Sequence, residues 1–390
     1  MNTQRLLFTN AHIFGAIDDW PIGWLLIEGK HIHSMGSGGA PDFHDGEVTQ
    51  TIDASHLNLL PGFIDLHVHG ACGHEAMDAS PDGLQTMARF YAQHGVTSFL
   101  PTTWTQSHDA IKQALDVITE LTGPVQNGAT ILGAQMEGPY LNAAKSGAQA
   151  SHFIRRADRS EVLDYLEGNK VKLFALAPEF EENLWLIDEC VQRGITVSAA
   201  HTAATYQQMV VAVEHGLTHA THTFNAMIGL GHREPGTVGA VMALPQIRAE
   251  LIADNIHVHP ASMKILVQAK GADKVILITD AIRGCGMPDG EYRIDDRTIH
   301  VQHGKAHLPD GTLAGSLLTM DAALRNIMQA TGLLLNEAWR MSSLNAAQAI
   351  NVASTKGSLE IGKDADMVLL DHDLNVAMTI VEGEIVYQAA

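Results

Sequence analysis

Cysteine is almost absent from the 390 residues: Cys72, Cys190 and Cys285 are odd in number and far apart. They give neither a disulfide framework nor a thiolate zinc site, which fits a reducing, cytoplasmic setting. Basic residues are also few, 24 against 44 acidic ones, for a formal charge of −20. That balance argues against nucleic acid or anionic membrane as a partner. It also sets a condition, because an anionic substrate would meet a repulsive long-range field and need a local basic pocket. Although 46% of the residues are hydrophobic, no apolar run approaches the roughly 20 residues that cross a bilayer. The opening MNTQRLLFTNAHIF has one basic residue and an alternating apolar patch, so it reads as a first strand rather than a secretion signal. What the chain has in quantity is histidine, 22 residues against those 24 lysines and arginines. That abundance suggests metal chemistry without proving it.

The length suits one large domain plus a smaller one. QHGVTS (93–98), QRGITV (192–197) and EHGLTH (214–219) share one construction. Each runs a helical segment up to a glycine (Gly95, Gly194, Gly216) and enters an apolar or β-branched run at once, a tight helix-to-strand joint. Apolar runs that suit parallel strands number eight, near 62–69, 96–101, 131–136, 171–177, 195–200, 218–222, 249–253 and 275–279. Helical stretches such as 82–94, 108–121, 182–193, 205–215 and 260–270 separate most of them. This order predicts an α/β fold, a closed (β/α)8 TIM-like barrel over 61–357 with its chemistry at the C-terminal strand ends. An open doubly wound sheet is the alternative, but no G-x-G-x-x-G follows the first strand. Residues 1–60 and 358–390 share a texture of short strands and turns. Each piece is too small to bury a core by itself, so both termini are expected to form one small β-sandwich domain. A β-hairpin insertion is expected near 289–312.

In PGFIDLHVHG (61–70), Ile64, Leu66 and Val68 alternate with Asp65, His67 and His69. Both imidazoles then project to one face with Asp65 behind them. Alone, the pair reads equally well as metal ligands or as the polar side of a half-buried strand. The remaining strand ends add Glu137 in QMEGPY, His201 in SAAHT, His222 in HATHTFNAM and Asp280 in ILITDA. Each has an ordinary alternative: Glu137 or Asp280 as a helix cap, His201 as a core histidine, and either His219 or His222 facing inward. Six such residues at the ends of five strands point instead to a metal site. Nitrogen and oxygen donors suit zinc first, with iron, manganese, cobalt or nickel as alternatives. A divalent ion acidifies water and polarises a carbonyl, and Asp280 can carry the proton to a leaving amine. The reaction indicated is hydrolysis of an amide or related C–N bond.

These motifs resemble the amidohydrolase superfamily, and within it the N-acetylglucosamine-6-phosphate deacetylase family. The resemblance runs over essentially the whole chain: PGFIDLHVHG, QMEGPYLN with KSGA behind it, AAHT, THTFNAM with REPG, ADNIHVHP, ITDA, and DGTLAGSLLTMDAALRN. It implies a principal metal at Glu137, His201 and His222, with Asp280 as acid and base. Many relatives lack the first-strand histidines, so His67 and His69 imply a second ion, with Glu137 able to bridge. Substrate contacts are implied at Ala148, Gln149, Asn225, Ala226, Arg233, His257, Leu313, Ala314 and Gly315. The implied substrate is an N-acetylhexosamine 6-phosphate. The family's homodimers imply that Arg233 and His257 serve the phosphate side or the partner subunit's site. Gln149 departs from the family, which has histidine after KSGA, and this puts the glucosamine or galactosamine preference in question. Cyclic-amide hydrolases and deaminases of the superfamily bridge two metals with a carboxylated lysine, where this chain has Glu137. A catalytically silent relative would not need all six residues.

Overall fold

The alternation of apolar runs and helices closes on itself in the computed structural model, which describes residues 4–43, 48–168 and 170–389. Eight parallel strands form the barrel: β1 (Phe63–Val68), β2 (Val96–Thr103), β3 (Ala134–Glu137), β4 (Val171–Leu176), β5 (Thr196–Ala199), β6 (His219–Ala220), β7 (Arg248–Ile252) and β8 (Val275–Ile278). Each pairs in parallel with the next. The seam from β8 back to β1 is made beyond the regular ladder. Val68 bridges Ala281, the Asp280 N–H donates to the His67 carbonyl at 2.8 Å, and the His69 N–H donates to the Ala281 carbonyl at 2.8 Å. Asp65 clamps the same seam, accepting from the Thr279 hydroxyl at 2.5 Å and from the His67 N–H at 3.2 Å. Every residue of β1 and β2 is buried, as expected for strands covered on both faces.

The helices begin and end for local reasons. Ser80 caps α1 (Pro81–Gln93) by accepting from the Gly83 N–H, and Thr205 and Gln208 form a reciprocal capping box on α5 (Tyr206–Glu214). Gly95, Gly194 and Gly216 take φ of 81°, 72° and 105°, the left-handed turn that lets the chain enter a strand at once.

Both chain ends build one eight-stranded sheet. Its path runs Glu384–Gln388, Val376–Val381, Met367–Leu370, Asn58–Pro61, Arg5–Phe14, Asp19–Glu28 and His31–Ser37, with Gln50–Asp53 also paired to Arg5–Phe14. It holds a separate core in which Phe8, Ile13, Leu25 and Leu59 meet Met367 and Leu369. The insertion is a three-stranded antiparallel sheet, Gly290–Ile294, Arg297–Gln302 and Lys305–His307. Its Ile294, Ile299 and Val301 pack with Trp104, Ala148 and Ala314.

Two strands differ from expectation. The run 131–136 breaks at Gly133, whose φ is 136°, leaving Thr130–Ile131 apart from β3. β6 has two residues rather than five, because the chain turns at Thr221 and carries His222 off the ladder.

Candidate active site

The barrel gathers the six strand-end residues into one buried cluster. Glu137 is the last residue of β3. His201, His222 and Asp280 each follow their strand by two residues, with φ of 42°, 31° and 49°. Non-glycine residues rarely adopt this conformation, and it turns the three side chains inward over the strand ends.

Glu137 is the centre. Its Oε1 lies 3.1 Å from His201 Nε2 and 3.0 Å from His222 Nε2. Its Oε2 lies 3.2 Å from His69 Nε2 and 3.7 Å from His67 Nε2. Asp280 Oδ1 stands 3.3 Å from His69 Nε2 and 3.5 Å from His67 Nε2. Two sets of donors result, Glu137–His201–His222 and His67–His69–Asp280, each drawn within 4.8 Å.

Hydrogen bonding shows what these sets require. His201 Nδ1 lies 2.8 Å from the Lys145 carbonyl and His69 Nδ1 lies 3.2 Å from the Thr102 carbonyl. A carbonyl only accepts, so both rings carry their proton on Nδ1 and turn a lone pair on Nε2 toward carboxylate oxygens and other imidazole nitrogens. His201 Nε2 also faces His222 Nε2, and His67 Nε2 faces His69 Nε2, both at 3.2 Å. Acceptors gathered this closely need a cation among them, and the donor set suits a divalent metal.

Burial opposes charge on His67, but the charges of Glu137 and Asp280 outweigh it and hold the imidazole protonated well above its ordinary range. His69 is raised for the same reasons. Burial would raise Glu137 and Asp280, yet the surrounding imidazoles lower both, Glu137 strongly, so both are carboxylates at neutral pH. His219, the other candidate on β6, faces elsewhere. Burial, with Arg248 and Lys274 nearby, lowers its pKa to about 3, and it is a neutral core histidine.

A cavity of about 240 Å³ opens beside the cluster. Of the expected substrate contacts, Ala148, Asn225, Ala226, His257, Leu313 and Gly315 line it, together with Glu137, His201, His222 and Asp280. His257 Nδ1 is 2.7 Å from Asp254 Oδ2. Burial works against its charge, but Asp254 and Asp280 prevail and raise its pKa. Three expected contacts do not line the cavity. Ala314 is buried beneath the wall, and Arg233 is exposed on the loop before α6 (Gly236–Ala243). Gln149 lies behind Glu137, donating to its Oε2 at 2.6 Å and accepting from the Thr105 N–H at 2.8 Å. His67 and His69 lie deeper than the cavity wall and are fully buried.

Two residues near the site had no motif to announce them. Trp104 stacks on His69, with ring centroids 3.8 Å apart at 12°. Glu250 on β7 is fully buried, with a carboxylate oxygen 3.6 Å from His67 Nδ1. The only sequence signal for Glu250 is an acidic residue within the apolar run AELIA.

Residues 58–386 match the amidohydrolase family. The chain is 40% identical to the N-acetylglucosamine-6-phosphate deacetylase of Lysinibacillus sphaericus, over 91% of this chain and 89% of that protein. It is 39% identical to the N-acetylgalactosamine-6-phosphate deacetylase of Escherichia coli O157:H7, over 84% of this chain and 87% of that protein. Among solved structures, a variant of the Mycobacterium smegmatis N-acetyl-D-glucosamine-6-phosphate deacetylase in complex with N-acetyl-D-glucosamine-6-phosphate superimposes with a TM-score of 0.92. It has 30% identity and covers 99% of this chain and 100% of that one.

Proposed function

The chain belongs to the amidohydrolase family, and from that premise we propose that it hydrolyses the acetamide of N-acetyl-D-glucosamine 6-phosphate. The products are glucosamine 6-phosphate and acetate, and the setting is amino-sugar catabolism. The observation that carries this reading is one carboxylate, Glu137, set between two ligand groups beside a cavity that also presents Asp280. Relatives bearing that activity, aligned over nine-tenths of the chain, support it.

Glu137, His201 and His222 would hold a principal divalent ion, and His67 and His69 a second, with zinc the first choice ahead of iron, manganese, cobalt or nickel. When bound, such an ion supplies Lewis acidity and lowers the pKa of water from 15.7 to roughly 7. Asp280, already a carboxylate, accepts a proton from the water that adds to the acetyl carbon. When the C–N bond breaks, Asp280 returns that proton to the departing nitrogen, leaving acetate and the amine. Asn225, Ala226, Leu313 and Gly315 form the wall against which the sugar is oriented. His257, whose pKa Asp254 raises against the effect of burial, would donate an imidazole N–H to the phosphate in a strongly acidic protein. Arg233, outside the cavity of its own chain, is assigned to the partner subunit's site in a homodimer, where its guanidinium would grip the phosphate. Three unpaired cysteines fit a cytoplasmic protein.

The galactosamine epimer is the second reading. One relative bears that activity, and the Gln149 amide is tied to Glu137 and Thr105 rather than offered to the cavity. The test compares acetate release from both N-acetylhexosamine 6-phosphates and their unphosphorylated forms, with metal content measured on the same sample. Release from the phosphorylated sugars is expected. No release from any of the four would overturn the proposal, and equal rates without phosphate would remove the role given to Arg233.

A further inference from the structure

We infer that Glu250 is a positioning residue, taking the Nδ1–H of His67 and supplying the third negative charge that a second cation at His67 and His69 calls for. The inference rests on reading the cluster as an ion-binding site. Glu250 sits on β7, a strand that carries no ligand candidate, and it is fully buried. Among the described residues, neither carboxylate oxygen has a hydrogen-bond partner, and neither does His67 Nδ1. These orphaned groups face one another at 3.6 Å. A carboxylate buried without a hydrogen bond is among the most costly groups a core can hold, so its retention calls for a function.

The geometry supplies one. If the Nδ1–H of His67 donates to Glu250, the Nε2 lone pair is left facing His69 Nε2 at 3.2 Å, Asp280 at 3.5 Å and Glu137 at 3.7 Å. The rings of His69 and His201 are held the same way, but by backbone carbonyls. A carboxylate partner makes an imidazole a stronger ligand than a carbonyl partner does. Charge points the same way. Glu137 and Asp280 together balance one divalent ion, and Glu250 adds negative charge toward another.

The test uses the full chain, stripped of metal by a chelator and titrated with Zn2+, with Glu250→Gln and Glu250→Leu as variants. Wild type is expected to bind two ions. In Glu250→Gln the second should bind about 10- to 100-fold more weakly while the first is retained. Glu250→Leu should likewise gain less thermal stability from Zn2+ than wild type does. A purely structural glutamate would leave zinc affinity and the stabilisation by Zn2+ unchanged in both variants, and that result overturns the inference. So does a Glu250→Gln protein that binds two ions as wild type does, or a wild type that saturates at one. Because zinc is counted directly, the inference stands or falls separately from acetate release. A one-ion wild type that releases acetate sinks this inference and leaves the proposed reaction intact.

Discussion

Asp280 and His69 face each other at 3.3 Å, and the two residues predict different losses. Asp280→Asn keeps the shape of the side chain but removes the proton acceptor. Acetate release should fall by about 10²- to 10⁴-fold, while metal content, measured on the same preparation, stays close to wild type. Against the effect of burial, Glu137 and Asp280 raise the pKa of His67 strongly and that of His69 as well, so an ion that binds there must displace protons. Apparent zinc affinity should therefore rise with pH through neutrality, and calorimetry in buffers of different ionisation enthalpy should report proton release. An affinity flat in pH would contradict that picture. At this scale the residues that cluster were legible in the sequence, because each sits where an apolar run stops. Glu250 was not: nothing in AELIA says that its carboxylate meets an imidazole from β1. Gln149 was legible as a departure from the family, but its bond to Glu137 appears only when the loop after β3 is folded.

Among the elements, α8 (Met320–Thr331) closes against the end of α1 through Asp321, which is 3.1 Å from His94 Nδ1 and 2.8 Å from the Arg325 guanidinium. Burial alone would raise the Asp321 pKa, but the bond and charge of His94, with help from Thr319 and Arg325, lower it to about 2. A depressed carboxylate contributes stability that is present above its unfolded pKa near 4 and lost as pH falls through its folded value. Wild type should exceed Asp321→Asn by about 2 kcal/mol at pH 6. Denaturant titrations should show that gap closing between roughly pH 4 and pH 2. A difference unchanged across that range would show that the ion pair is not its source. Strand order and helix positions followed from apolar period and glycine placement, so α2 (His108–Leu121) and α7 (Pro260–Lys270) begin and end where expected. Gly133 and the turn at Thr221 went unseen, since both depend on how the chain meets neighbouring strands rather than on its own pattern.

For the molecule as a whole, the assignment of Arg233 to a neighbouring protomer makes a sharp prediction. Arg233→Ala homodimers should be impaired and Asp280→Asn homodimers inactive. Mixed and re-equilibrated, they should regain about a quarter of the wild-type rate, because half the dimers carry one complete site. No recovery, with hybrids verified by mass, would place Arg233 outside the partner's site. The paired sheet at the chain ends bears on synthesis. Asn58–Pro61 hydrogen-bonds to Met367–Leu370, which the ribosome adds roughly 300 residues and 15–60 s later. The N-terminal strands therefore leave the ribosome with an apolar face and an open edge, and they wait through translation of the whole barrel before their partners arrive. During that interval the nascent chain, rather than the finished enzyme, is the species most exposed to aggregation and most in need of a chaperone.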